Sequence, residues 1–178
     1  MMYNYNIILC IKFKKHLNKM CVYKITENVK IYSIKGIPAG FTSAIFEAIM
    51  FYIFDLFDKK ALGYQFTAIG ERLFHLGSLD GEITGLLMHF LVGSIVGFFA
   101  ALISYYIKLR PKNYRQSILI GILAGFLILL LFSLPVNIFM LHLYVYENYD
   151  LISTDFYYSM HIFYGLLWCL FLYIFLGS

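Results

Sequence analysis

Four stretches of the chain are apolar for twenty residues or more, at about 34–57, 83–109, 117–141 and 156–176. A hydrocarbon core about 30 Å thick takes about 20 helical residues, so each stretch predicts a membrane-spanning helix. The polar positions fall between these runs. In the long connection 58–82, Phe66, Ile69, Leu73 and Phe74 recur at roughly helical spacing, which predicts a short amphipathic helix over Gln65–Leu76 lying on the outer face. Pro38 and Pro135 are the prolines within spans. Pro38 is expected in the first turns of its helix, where a missing N–H costs little. Pro135 lies deeper and should kink the third span or be satisfied by a neighbour. The expected fold is all-α, a polytopic membrane four-helix bundle.

The pattern also repeats. Met88-His89-Phe90-Leu91-Val92-Gly93 is echoed by Met160-His161-Ile162-Phe163-Tyr164-Gly165, and Gly36-Ile37-Pro38-Ala39-Gly40-Phe41 by Gly121-Ile122-Leu123-Ala124-Gly125-Phe126. The order is the same both times, a Gly-bearing helix and then a His-bearing helix. The bundle is therefore expected to consist of two parallel-repeat helical hairpins, one over about 34–109 and one over about 117–176. Each unit has two spans, so both copies enter the membrane in the same sense and the pseudo-symmetry axis runs along its normal. His89 and His161 then share a depth. The match is incomplete, because Cys169 stands where the first copy has Gly97, and Phe132 where it has Glu47.

Composition agrees with the pattern: 61% of the 178 residues are hydrophobic, 13% are charged, and the mean hydropathy is +0.76. Soluble domains carry about twice that share of charge. The charges are distributed unevenly. Lys12, Lys14, Lys15, Lys19, Lys24, Lys30 and Lys35 precede or open the first span, and Lys108, Arg110, Lys112 and Arg115 separate the second from the third. The other two connections hold only Lys59, Lys60 and Arg72. The positive-inside rule then places both termini in the cytoplasm. Residues 1–33 are expected to form a basic cytoplasmic arm held by anionic lipid, and 34–178 the membrane domain. No secretory signal peptide is expected, and Met20 offers an alternative start to Met1. The lipid bilayer is the expected partner, with a membrane protein or a second copy as candidates; the basic residues form no separate domain for nucleic acid. Cys10, Cys21 and Cys169 show neither disulfide nor zinc spacing.

The His-x3-Gly-x3-Gly phrase at His89, Gly93 and Gly97, the His-x2-Tyr-Gly phrase at His161, Tyr164 and Gly165, and the Gly-x3-Gly helix before each carry a resemblance. Together they resemble small bacterial four-span membrane proteins of the domain-of-unknown-function kind, over about Gly36 to Phe175. The resemblance implies a four-span architecture in a bacterial-type plasma membrane and brings no activity.

Small residues at four-residue spacing predict packing seams, since they let backbones approach closely. Gly36 and Gly40 mark the first span, Gly85, Gly93 and Gly97 the second, Gly121 and Gly125 the third, and Gly165 the fourth. Ionisable groups in hydrocarbon are costly and so are candidates for function. Glu47 is expected near mid-membrane, with Asp55 two turns further along the same face. As a proton site Glu47 would need a partner, and His89 or His161 is the natural one. Asn137, beside Pro135, is expected to bond across helices. The alternatives for the histidines are interhelical hydrogen bonds, axial ligation of a haem, or a metal site with Glu47 or Asp55. The glycines sharing a face with the histidines argue against a slot for haem. No nucleophile–base pair, phosphate loop or zinc-protease pattern is present. The leading expectation is a non-enzymatic packing or partner-binding subunit, or a small carrier working through Glu47, His89 and His161. The alternative is a haem- or metal-binding redox component.

Overall fold

The computed structural model describes residues 15–57, 61–135 and 151–177, with side chains from 28 onward except at 78 and 151–155. The described residues are all-α, with no strand among them. Helix α1 spans Lys15–Phe57, α2 Tyr64–Phe74, α3 Ser78–Tyr106, α4 Tyr114–Ile128 and α5 Leu151–Phe175. Four helical segments are long and apolar enough to cross a membrane, at Asn28–Phe57, Leu79–Tyr106, Tyr114–Ser133 and Phe156–Phe175. The chain is a multi-pass four-helix bundle. Its flanks carry exposed Leu87, Leu91, Leu119 and Leu131, as a surface solvated by lipid requires.

Two elements differ from expectation. α1 runs unbroken from Lys15 into the first span, so at least part of the basic segment is an extension of the membrane helix. Pro38 therefore lies deep inside a 43-residue helix, not in its first turns. The spacing of apolar residues could not reveal that start, because the basic turns before Asn28 are helical without being apolar. Pro135 behaves nearer to plan. The turn ahead of it, Leu129–Ser133, widens to a π-helix, which accommodates the carbonyls that a proline leaves unbonded. The start of α4 is capped, since Asn113 Oδ1 accepts from the Gln116 N–H at 2.9 Å.

The helices pair as α1 with α3 and α4 with α5, and α5 also packs on α1, which joins the pairs. Glycines set both seams. Gly36 faces Gly97 and Ala101, while Gly40 faces Gly93 and Gly97. In the second pair Gly121 faces Leu166, Gly165 and Cys169, and Gly125 faces His161 and Ile162. A methyl group at any of these positions would meet neighbouring backbone, so the seams exist only because the side chains are missing. Gly85, expected on the same seam, serves α2 instead, with its open side against the Phe66 carbonyl.

α2 is helical as expected and packs into the bundle on one side. Phe66 is fully buried, Gly70 is pressed on Gly81 of α3, and the helix closes one end of the bundle. Across the join between pairs, the Tyr164 hydroxyl donates to the Gly93 carbonyl at 2.6 Å and Trp168 Nε1 to the Gly97 carbonyl at 3.2 Å. Lys35 Nζ donates to the Phe175 carbonyl at the last turn of α5, and the Arg110 guanidinium lies 3.6 Å from the Tyr105 ring centroid.

Candidate functional site

Glu47 sits on α1 one turn beyond Ser43 and Ala44, where the glycine seam ends and the helices begin to diverge. It is 3% exposed. Its Oε2 lies 3.5 Å from His89 Nε2, an electrostatic contact longer than a hydrogen bond. Its Oε1 is buried and has no hydrogen-bond partner among the described residues. Buried polar atoms are nearly always paired, so this oxygen calls for an explanation.

The explanation lies in the space beside it. A cavity of about 360 Å³ is lined by residues of every helix: Glu47 and Phe51 of α1, Phe66 of α2, His89 and Val92 of α3, Phe132 of the π-turn, and His161 and Tyr164 of α5, among others. Glu47, His89 and His161 thus converge. The glycine stripe was expected to leave no slot for a flat macrocycle such as haem. It packs backbone on backbone at Gly93 and Gly97, but one turn away, at His89, α3 meets α2 and a gap opens toward α4. Val92 and Phe132 at this gap are exposed on the bundle's flank, and among the described residues α3 and α4 form no seam. In a bilayer, that opening faces lipid.

Each histidine is oriented by a carbonyl. His89 Nε2 lies 3.2 Å from the Ala44 carbonyl of α1, an interhelical bond of the kind expected. His161 Nδ1 lies 2.9 Å from the Tyr157 carbonyl of its own helix. Carbonyls only accept, so Nε2 of His89 and Nδ1 of His161 carry hydrogen. Aromatic rings fix the imidazoles: Phe66 packs 5.3 Å from His89 and Tyr157 4.4 Å from His161, centroid to centroid. The hydroxyls of Ser133 and Tyr157 meet at the far wall.

Asp55 does not join this site. Its Oδ2 accepts from the backbone N–H of Gly63 at 2.9 Å and of Tyr64 at 3.2 Å. Gly63 takes φ of +73° there, a turn that favours glycine and aims both N–H groups at the carboxylate. Asp55 thereby anchors the start of α2, assisted by the Tyr52 hydroxyl donating to Glu82 at 2.6 Å. Asn137 lies outside the described residues. Cys169 is buried at the α4–α5 seam. No group of three or more His, Cys, Asp or Glu side chains gathers for a metal ion among the described residues. From the sequence, Tyr164 was singled out only as part of a motif and Trp168 not at all, although with His161 they fall at i, i+3 and i+7 on one helical face. That spacing was the available signal.

Compared with known proteins, the chain matches no family model, no curated protein and no solved structure.

Proposed function

We propose that this chain is a plasma-membrane protein with both termini in the cytoplasm, and that it binds a small molecule within the bilayer and works as a small carrier without chemistry of its own. The observation that carries this reading is the cavity of about 360 Å³ at Glu47, His89 and His161. Interiors are close-packed, with few voids larger than a water molecule. A subunit whose helices served only to pack would fill this space with side chains, and Glu47 would be replaced by an apolar residue at lower cost. Duplication of one hairpin accounts for the arrangement. It is supported by matching seams, with Gly40 on Gly93 in one pair and Gly125 on Gly165 in the other. The orientation rests on eleven basic residues on one side against three on the other.

Toluene is a suitable first probe, since most of the lining is apolar and such cavities take up small aromatic molecules. Trp168, the single tryptophan, is buried one turn from Tyr164 and reports unfolding through its emission. At about 100 times its Kd, toluene should stabilise the reconstituted chain by about 2.7 kcal/mol. Val96→Phe, which fills the cavity, should abolish that gain. No stabilisation of the unaltered chain would defeat the proposal.

A further inference from the structure

Granting that the cavity binds a small molecule, we infer that its occupant is a lipophilic amine, with the head on Glu47 and the body against the aromatic wall. The argument is an inventory of donors and acceptors. Tyr164 spends its hydroxyl hydrogen on the Gly93 carbonyl. His89 and His161 each spend a ring N–H on a backbone carbonyl, so the second nitrogen of each neutral ring is an acceptor. Glu47 Oε1 has no partner. The hydroxyls of Ser133 and Tyr157 bond to one another, which uses one of their two hydrogens. Among the described residues, Gln65 brings the one lining amide, which offers both kinds of group.

Among the described residues, acceptors therefore outnumber donors in the lining. An ammonium head carries up to three N–H donors and no acceptor, which matches Glu47 and the two imidazoles. A carboxylate ligand fits poorly, because no lysine or arginine lines the cavity among the described residues and Glu47 would oppose it. A buried cation needs a counter-charge, and Glu47 is the one carboxyl in the lining among the described residues. The rings of Phe51, Phe66 and Phe132 supply apolar walls and faces that attract a cation. The gap between α3 and α4 suits a solute that arrives dissolved in the bilayer.

Three probes with one body and different heads test this: 4-phenylbutylamine, 4-phenylbutanol and 4-phenylbutyrate. Binding is measured by titration calorimetry to the full chain in phosphatidylcholine nanodiscs, with empty nanodiscs correcting for partition. The amine should bind about tenfold or more tightly than either analogue. Glu47→Gln should reduce the amine to the affinity of the alcohol and leave the alcohol unchanged. Equal binding of the alcohol or the carboxylate overturns the amine assignment, as does amine binding that survives Glu47→Gln. Binding by none of the three overturns it too, and stabilisation by toluene then decides separately whether the cavity reading stands. The comparison of probes uses the unaltered chain, so it remains decisive even where Glu47→Gln does not fold.

Discussion

Gly40→Ala tests whether contact between backbones holds the bundle together. A methyl group there would lie 2.9 Å from Gly97 Cα and 3.0 Å from the Tyr164 hydroxyl oxygen, and closer still to the Gly93 carbonyl. Carbon atoms in ordinary contact are about 3.5–4.0 Å apart, so α1 would have to retreat from α3 by roughly 0.6–1 Å. Two of the three obstacles are backbone and cannot rotate away. Overpacking of this kind costs about 1–3 kcal/mol. The displaced Tyr164 would also lose its 2.6 Å bond to Gly93, and interhelical hydrogen bonds in membranes contribute about 0.6 kcal/mol, at most about 1.7. The expected destabilisation is about 2–4 kcal/mol, on the order of a thirtyfold to several-hundredfold shift in the folding equilibrium.

Reversible unfolding in mixed detergent–SDS micelles, followed by Trp168 emission, measures this directly. Gly125→Ala should cost a similar amount, because its methyl would fall 2.6 Å from the His161 carbonyl and 2.7 Å from Ile162 Cα. Ile103→Ala on the exposed flank should stay within about 0.5 kcal/mol of the parent. A Gly40→Ala variant as stable as Ile103→Ala would refute the reasoning and leave the glycine seam without energetic content.

Three further outcomes are expected. Asp55→Ala should release the start of α2, since it removes a carboxylate that accepts from two backbone N–H groups; bonds to a charged group contribute about 1.5–3 kcal/mol. Faster amide exchange confined to the first turns of α2 would show it, and unchanged exchange would count against an anchoring role. In a variant with the native cysteines replaced, a cysteine introduced at Gly77 should react with an impermeant maleimide on intact cells, and one at Lys112 only after lysis; the reverse pattern would invert the proposed topology. An amine occupant requires no iron, so the purified chain should show no Soret band, whereas a band lost in both His89→Ala and His161→Ala would install a haem in place of the amine.

Hydropathy was sufficient for the four spans, because in lipid the segment that crosses must be apolar along its whole length. It also located α2, but not its burial. The same amphipathic spacing suits a helix lying on a membrane and one closing a bundle, and Gly81 and Gly85 of α3, which admit α2, carry no mark of that purpose. Periodicity along a helix tells which residues share a face; it does not tell how far away the neighbour is. The stripe through His89, Gly93 and Gly97 therefore read as one seam, although α3 holds α1 at Gly93 and Gly97 and stands beside a cavity at His89. Glu47 and Asp55 pose the same limit on the other helix. Eight residues apart, they look alike in the sequence, yet the positive-φ turn at Gly63 supplies N–H donors to Asp55 and no group supplies one to Glu47 Oε1 among the described residues.

That difference gives meaning to one of the places where the two hairpins disagree in polarity. If the hairpins arose by duplication, Glu47 and Phe132 occupy equivalent positions, and both line the cavity. A symmetric pair of carboxyls would face each other in a low-dielectric space and repel. A symmetric pair of phenylalanines would leave nothing to orient a ligand or discriminate its head. One acid and one aromatic ring offer an amphipathic molecule a polar contact and an apolar one. On the proposed reading, the departure from the repeat at Glu47 supplies the group that would hold an amine head.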